Sequence, residues 1–450
     1  MKKTILFSLI IMAFLLTSCG AKLVTSTPTP AATAKPVEVI WYVRSNPVEQ
    51  KWEQETVIPD FEAKNPNIKI NLTVVARADF DARMTTMIAA GTPPDIWSHW
   101  GTFGFADYVA RGLVADLTPY IEKDVVDLSD FNQDVLKTYQ VNGKYMGLPF
   151  QTTGSYIFYN KNIFDEAGVA YPPTNWDDTT WTYDTFLEKC KALSVVTGDP
   201  LTDVYGCNMA FSPNDQYAWM YGKDIYPDSA YQTGFADTAY LNDPLVIKAF
   251  QDRQDIVWKL HYMPDPETVT AFGSGDLFMA QKVAMQITSG WGFWDYSAVK
   301  DFKWGVAALP YGAPGRADVV FTDPWMMSSK TAHPQEAWAF LKYLVSPEVQ
   351  AAWTKATLAP PVRTSLLDSW YKTFSGMTPY EVKEVFLGSF KYGKESPEHL
   401  LVRFDMLDKV VSAALDPILD NSKLASETLP AANETLITTL QQIQAENEKK

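Results

Sequence analysis

Three short apolar strands separated by two amphipathic helices form the first patterned stretch after residue 36, and that order narrows the fold more than any other feature. VEVIWYV (37–43) is rich in β-branched and aromatic residues and reads as a strand. A helix is expected next, with Val48, Trp52 and Phe61 on its inner face and a break at Pro59. IKINLTV (68–74) alternates, placing Ile68, Ile70, Leu72 and Val74 on one side of a second strand. Asp79 is positioned to cap a helix in which Phe80, Met84, Met87 and Ile88 recur at helical spacing. Gly91 ends that helix, Pro93 and Pro94 forbid its continuation, and DIW (95–97) starts a third strand. Strand, helix, strand, helix, strand specifies a parallel sheet with helices on its faces.

The same grammar recurs in the middle of the chain. KYMGLPF (144–150) and SYIFYN (155–160) are β-like and flank a polar turn. A short helix holding Ile163 and Phe164 stops at Gly168, and Thr182 caps one carrying Phe186, Leu187, Cys190 and Leu193. KVAMQI (282–287) and WGVAALP (304–310) are further strands. From Pro334 the pattern turns helical, with stripes at Trp338, Leu341 and Leu344, then Leu400, Phe404, Leu407 and Val411, then Leu436, Leu440 and Ile443. At 450 residues the chain exceeds one compact core, so two α/β lobes are expected.

The chain carries 53 acidic and 38 basic side chains, a net charge of -15, which argues against nucleic-acid binding. Lys2 and Lys3 precede the apolar run ILFSLIIMAFLL (5–16), and LTSC (16–19) resembles the lipobox of bacterial lipoproteins. The resemblance implies cleavage before Cys19, which then carries the lipid. The Thr-, Ala- and Pro-rich residues 20–36 read as a disordered tether. Beyond this segment no run of about 18 apolar residues suggests a membrane span. An extracytoplasmic, membrane-anchored body follows, in which Cys190 and Cys207 either pair or remain buried thiols. His99, His261, His333 and His399 stand far apart in sequence and give a metal site no support. There is no G-x-S-x-G, H-E-x-x-H or phosphate-cradling G-x-x-x-x-G-K-[ST], so neither enzymatic activity nor a cofactor is expected.

AAGTPPDIW (89–97), GLPFQTTGSYIFYNKNIFDEAGV (147–169), PP-x-x-W (172–176), AQKVAMQITSGW (280–291), WGVAALPYG (304–312) and APPVR (359–363) occur in the order found in family 1 extracellular solute-binding proteins. The resemblance spans the chain from about Val37 to its C-terminal helices. It implies a maltose-binding-like, two-lobed type II fold with a hinge, serving an ABC importer as a monomeric receptor that delivers ligand to permease subunits. On that likeness lobe one combines residues 37–148 with 298–333, and lobe two 150–295 with 335–450. GLPFQ is then one crossing between lobes, and the segment after SGWGFWDY (289–296) another.

Trp and Tyr rings stack on the C–H faces of sugars while carboxylates, amides and Arg bind the hydroxyl rim, and aromatic residues make up 14% of this chain. SGWGFWDY, with Gly290 and Gly292 loosening its backbone, reads as a ligand-facing loop. Trp291 matches the Trp of the family's G-x-W segment, Trp294 follows it, and Phe293 is expected to turn inward. Trp97 and Trp100 leave a strand end with His99, read as a surface residue, between them. Trp219, Trp325 with its neighbour Asp323, Tyr156, Arg44 and Arg363 complete the candidate ligand set, Arg363 having a bracing salt bridge as its competing role. Trp52, Trp338 and Trp353 are expected in the core, and Trp176 and Trp181 to pin a loop. The expected ligand is a sugar or oligosaccharide. The alternatives are a secreted glycoside hydrolase, or a receptor for a polyamine (through Asp295 and Asp323) or a phosphorylated polyol.

Overall fold

The computed structural model describes residues 35–101, 103–199, 202–209, 214–273, 275–312 and 316–449. Cys19, the apolar leader and most of the tether lie outside them. No helix among the described residues is long and apolar enough to cross a membrane.

The opening pattern folds as its periodicity requires. β1 (Val37–Val43) lies between β2 (Ile68–Val74) and β3 (Ile96–Trp97), parallel to both. The helix between β1 and β2 is interrupted by a π turn at Glu53–Val57, just before Pro59, which sits harmlessly in the first turn of the helix Ile58–Lys64. Val48, assigned to the inner face, is 53% exposed, because it stands in the first turn of its helix, beside the Asn46 cap and ahead of the buried Trp52. A small hairpin of β4 (Gln140–Val141) and β5 (Lys144–Tyr145) then leads into β6 (Leu148–Thr153).

The expected polar turn after GLPF does not exist. Gln151 to Thr153 continue β6, and Gly154 joins it directly to β7 (Ser155–Asn160), so the chain passes from one sheet to the other almost without a bend. A Cβ at Gly154 would lie 2.3 Å from Oδ2 of Asp318, a close approach that only glycine allows. β7 is flanked by β9 (Val283–Ser289) and β10 (Trp304–Ala307), and β8 (Tyr205–Met209) pairs parallel with β9. β11 (Asp318–Met327) returns to the first sheet, antiparallel to β3 and β6, and β12 (Gly393–Glu395) adds to its start. The sheet orders are β12–β11–β3–β1–β2, with β6 also on β11, and β10–β7–β9–β8. This is the two-lobed α/β architecture.

Two large cores match the two sheets, and they revise the expected partition. Residues 304–307, assigned to lobe one, pair with β7 in the second sheet. The segment after SGWGFWDY therefore stays in the second lobe, and β6 and β11 are the two strands that cross, with a third crossing between Val362 and Trp370. The helices Pro334–Leu344 and Pro347–Thr357, assigned to lobe two, bury Trp338, Leu341 and Trp353 in the first core with Trp41 and Phe61. From Trp370 onward the helices enter the second core. Cys190 and Cys207 are buried free thiols. A Cβ on Gly206 would fall 1.9 Å from the Cys190 carbonyl oxygen. Gly206→Ala is accordingly expected to lower stability by about 3 kcal/mol, read as a drop in the denaturant midpoint at unchanged slope.

Candidate functional site

β6 and β11 form an antiparallel ribbon running from one sheet toward the other, with Leu148 opposite Trp325 and Thr153 opposite Phe321. Thr152 and Thr322 link their hydroxyls at 2.9 Å across it, and Gln151 donates to Asp323. At the end of β9 the chain turns through Trp291 into the helix Gly292–Asp295, bringing Trp291 and Trp294 over this ribbon. Trp291 lies 5.6 Å from the Phe321 ring and 6.4 Å from Trp294, and both Trp side chains are half-buried. Ala359 and Pro360, following a helix of the first core, close the far side of a narrow recess of about 10 Å³ lined by Gln151, Trp291, Trp294, Phe321 and Asp323. The recess thus collects side chains from both lobes and from both crossing strands.

The loop SGWGFWDY owes its shape to packing rather than to looseness. A Cβ on Gly290 would lie 1.7 Å from the Thr153 hydroxyl, and one on Gly292 2.6 Å from the Phe158 ring. Phe293 is fully buried beneath, as expected. Gly290→Ala should push the loop off the ribbon, lowering the thermal midpoint by about 5 °C and disturbing the Trp fluorescence.

Asp323 is the charged centre of the recess. Burial pushes its carboxyl up, but His99, whose Nε2 lies 3.2 Å from Oδ1, the charge on His399 and the Gln151 amide outweigh this and hold it down at about 2. His99 Nε2 also faces the Thr322 carbonyl at 3.0 Å, so with two acceptors before it Nε2 bears the proton. Its Nδ1 is buried without a partner. His99, expected at the surface, is only 3% exposed because it is wedged between the ribbon and the His399 ring.

A second recess, of about 310 Å³, opens beside Trp219. Trp219 joins Val319 and Phe321 in a small aromatic cluster, against which Trp291 and Tyr231 pack. Lys394 spans its rim, 5.4 Å from the Trp219 ring, 3.6 Å from Tyr231 and paired with Asp224 at 2.6 Å.

Other expected ligand residues lie elsewhere. Tyr156 is fully buried, its hydroxyl 3.2 Å from Ser389 Oγ and from the Gly154 N–H, because β7 is one of the two interior strands of its sheet. Trp97 is buried against Tyr108. Trp100 and Trp325 belong to the first core, Trp325 stacked on Phe150 at 4.3 Å and Trp100 edge-on to it, with the Arg44 guanidinium 5.8 Å from the Trp100 ring. They line a narrow void with Glu49 and Glu53, behind the ribbon rather than in the recess. Arg363 takes its bracing role, bonding the Val345 carbonyl and pairing with Asp130 at 3.3 Å. Trp176 and Trp181 donate to the carbonyls of Val385 and Ala308, pinning their loop.

The sequence reading missed Gln151, Phe321, Lys394 and His399. Phe321 and Gln151 carried a signal in belonging to crossing strands; Lys394 and His399 carried none. His99, Asp323 and His399 each offer a ligand atom within 4.8 Å of the others, although the histidines are remote in sequence. Their rings lie stacked at 3.8 Å with planes 25° apart, so the in-plane lone pairs run side by side instead of converging on one point, as metal ligation demands. The set reads as a proton-bearing stack.

The profile of bacterial extracellular solute-binding proteins matches residues 45–351. A binding protein of Brucella abortus is 29% identical over 67% of this chain and 70% of its own. The sn-glycerol-3-phosphate-binding periplasmic protein of Yersinia pseudotuberculosis is 25% identical over 75% of this chain and 77% of its own. Among solved structures, an ABC substrate-binding protein of Listeria monocytogenes in complex with cycloalternan superposes with a TM-score of 0.77 at 22% identity, covering 90% of this chain and 99% of that one.

Proposed function

The chain belongs to the bacterial extracellular solute-binding protein family, and from that premise we propose that it captures a sugar or oligosaccharide between its lobes and hands it to the permease of an ABC importer. The observation carrying this reading is the recess on the β6–β11 ribbon, where half-buried indoles sit over an ionised carboxylate and an amide. Flat rings suit the C–H faces of a sugar, and Asp323 and Gln151 suit its hydroxyls. Trp291, Trp294, Trp219, Phe321, Asp323 and Gln151 are the contact residues. Ligand bridging the lobes favours the closed form by its differential contacts, and the closed surface is what the permease reads. The chain acts as a receptor without catalysis, tethered through lipid on Cys19.

Glycerophosphate-type ligands are the second reading, favoured by the Yersinia relative and by Lys394 on the rim of the Trp219 recess. Thermal-shift titration with oligosaccharides, glycerol 3-phosphate and putrescine separates these readings. An oligosaccharide is expected to raise the midpoint by several degrees and to be recovered intact. A shift with glycerol 3-phosphate or putrescine alone would overturn the ligand class, and new reducing ends would overturn the receptor reading.

A further inference from the structure

Residues 393–403 leave the second lobe, touch the first, and return. The helix Pro379–Tyr392 packs in the second core, β12 runs along β11, the short helix Pro397–Leu400 meets the first lobe, and Val402 N donates to the Gly234 carbonyl back in the second. Where this strap docks, Gly104 of the first lobe is so close that a Cβ there would lie 2.1 Å from the Glu398 carbonyl oxygen. Arg77 pairs with Glu398 at 3.2 Å, and the Asp107 carboxylate accepts the Arg403 N–H at 3.0 Å. Between these contacts lies the stack of His99, from the first lobe, on His399, from the strap.

Each ring is anchored by its own acid. His99 faces Asp323 on β11 and, at 6.0 Å, the Tyr139 ring; His399 donates Nδ1–H to Glu395 at 2.6 Å, with Glu398 nearby. Two imidazoliums 3.8 Å apart in a buried site repel strongly, while one cation on one neutral ring attracts.

We infer that the His99–His399 stack is a latch that holds the strap of the second lobe on the first through a single proton, and that it positions Asp323 in the recess. The charge balance favours this state. Burial and the neighbouring His399 hold the His99 imidazole below its ordinary range; burial pushes His399 down too, but its contact with Glu395 outweighs that and raises it. A lowered histidine contributes stability above the unfolded value of about 6.5 and loses it as pH falls below that value. A raised one contributes below about 6.5 and loses it as pH climbs through its folded value. The latch is therefore tightest near pH 6.5 and loosens on both sides. This follows from the docking of the strap and holds whichever solute the recess takes.

The test is hydrogen exchange of peptide 393–403 in the full chain from pH 5 to 8.5, corrected for intrinsic rates. Protection should peak near pH 6.5 and fall about tenfold toward each extreme. His99→Gln should abolish the acid limb and His399→Gln the alkaline limb. Burial pushes the Asp107 carboxyl up to about 6 in the same interface, so the bell must survive Asp107→Asn. Imidazole carbon shifts in the unsubstituted chain, which need no variant to fold, should report one neutral and one charged ring at pH 6.5. Two neutral rings, a profile unchanged in both histidine variants, or a bell abolished by EDTA and restored by Zn²⁺ would each overturn the latch.

Discussion

Trp291→Ala is expected to abolish most of the ligand-induced thermal shift while leaving the fold intact. The indole rests on Phe321 and Trp294 and keeps part of its face open in the recess. Stacking a sugar on that face is worth about 1.4 kcal/mol, or about tenfold in affinity. Because the ring also packs on Phe321, the ligand-free midpoint should drop by a few degrees, and Trp291→Phe should restore that drop while recovering only part of the affinity. Titration calorimetry with the best sugar from the thermal screen measures this directly. An unchanged dissociation constant in Trp291→Ala would remove the loop from the site and, with it, the main support for a carbohydrate ligand.

The fold was legible where local periodicity determines it. Val39, Trp41 and Ile96 are buried at the centre of a parallel sheet, as the strand–helix alternation from 37 to 97 implies. What a local pattern cannot state is which sheet a strand joins. WGVA reads equally well in either, and only its antiparallel register with β7 assigns it to the second. The same limit explains the aromatic site. A Trp after a strand end announces ring surface without direction: Trp97 turned into the first core and Trp291 over the ribbon, because Tyr108 offers the former a packing partner and the narrow β6–β11 ribbon leaves the latter a partly open face. Gly290 and Gly292 looked like sources of freedom and are instead points of contact, which depends on Thr153 and Phe158, more than a hundred residues upstream. The histidine pair was invisible for a like reason. His99 and His399 meet only because β11 carries Thr322 and Asp323 to one while β12, on the same strand, carries Glu395 to the other.

Asp323→Ala should be the most damaging single change at the site, acting on stability and binding together. The carboxylate is 9% exposed and takes hydrogen bonds from His99 and Gln151. Removing it leaves the part-buried Gln151 amide without its acceptor and His99 with the Thr322 carbonyl alone, expected to cost about 2 kcal/mol, and removes the ionised acceptor for a ligand hydroxyl, expected to weaken binding at least about tenfold. Asp323→Asn keeps the shape, and since a neutral amide does not titrate it separates charge from packing. A carboxyl held at about 2 in the folded state, against an ordinary 3.8, contributes about 2 kcal/mol that is fully present above pH 5 and lost as pH falls toward 2. The wild-type chain should therefore lose that increment between pH 5 and 2, and Asp323→Asn should lack that part of the acid dependence. Urea midpoints across this range measure it. Parallel acid profiles would mean that the Asp323 carboxyl titrates alike in the folded and unfolded chain, so that His99 and Gln151 do not stabilise its charged form.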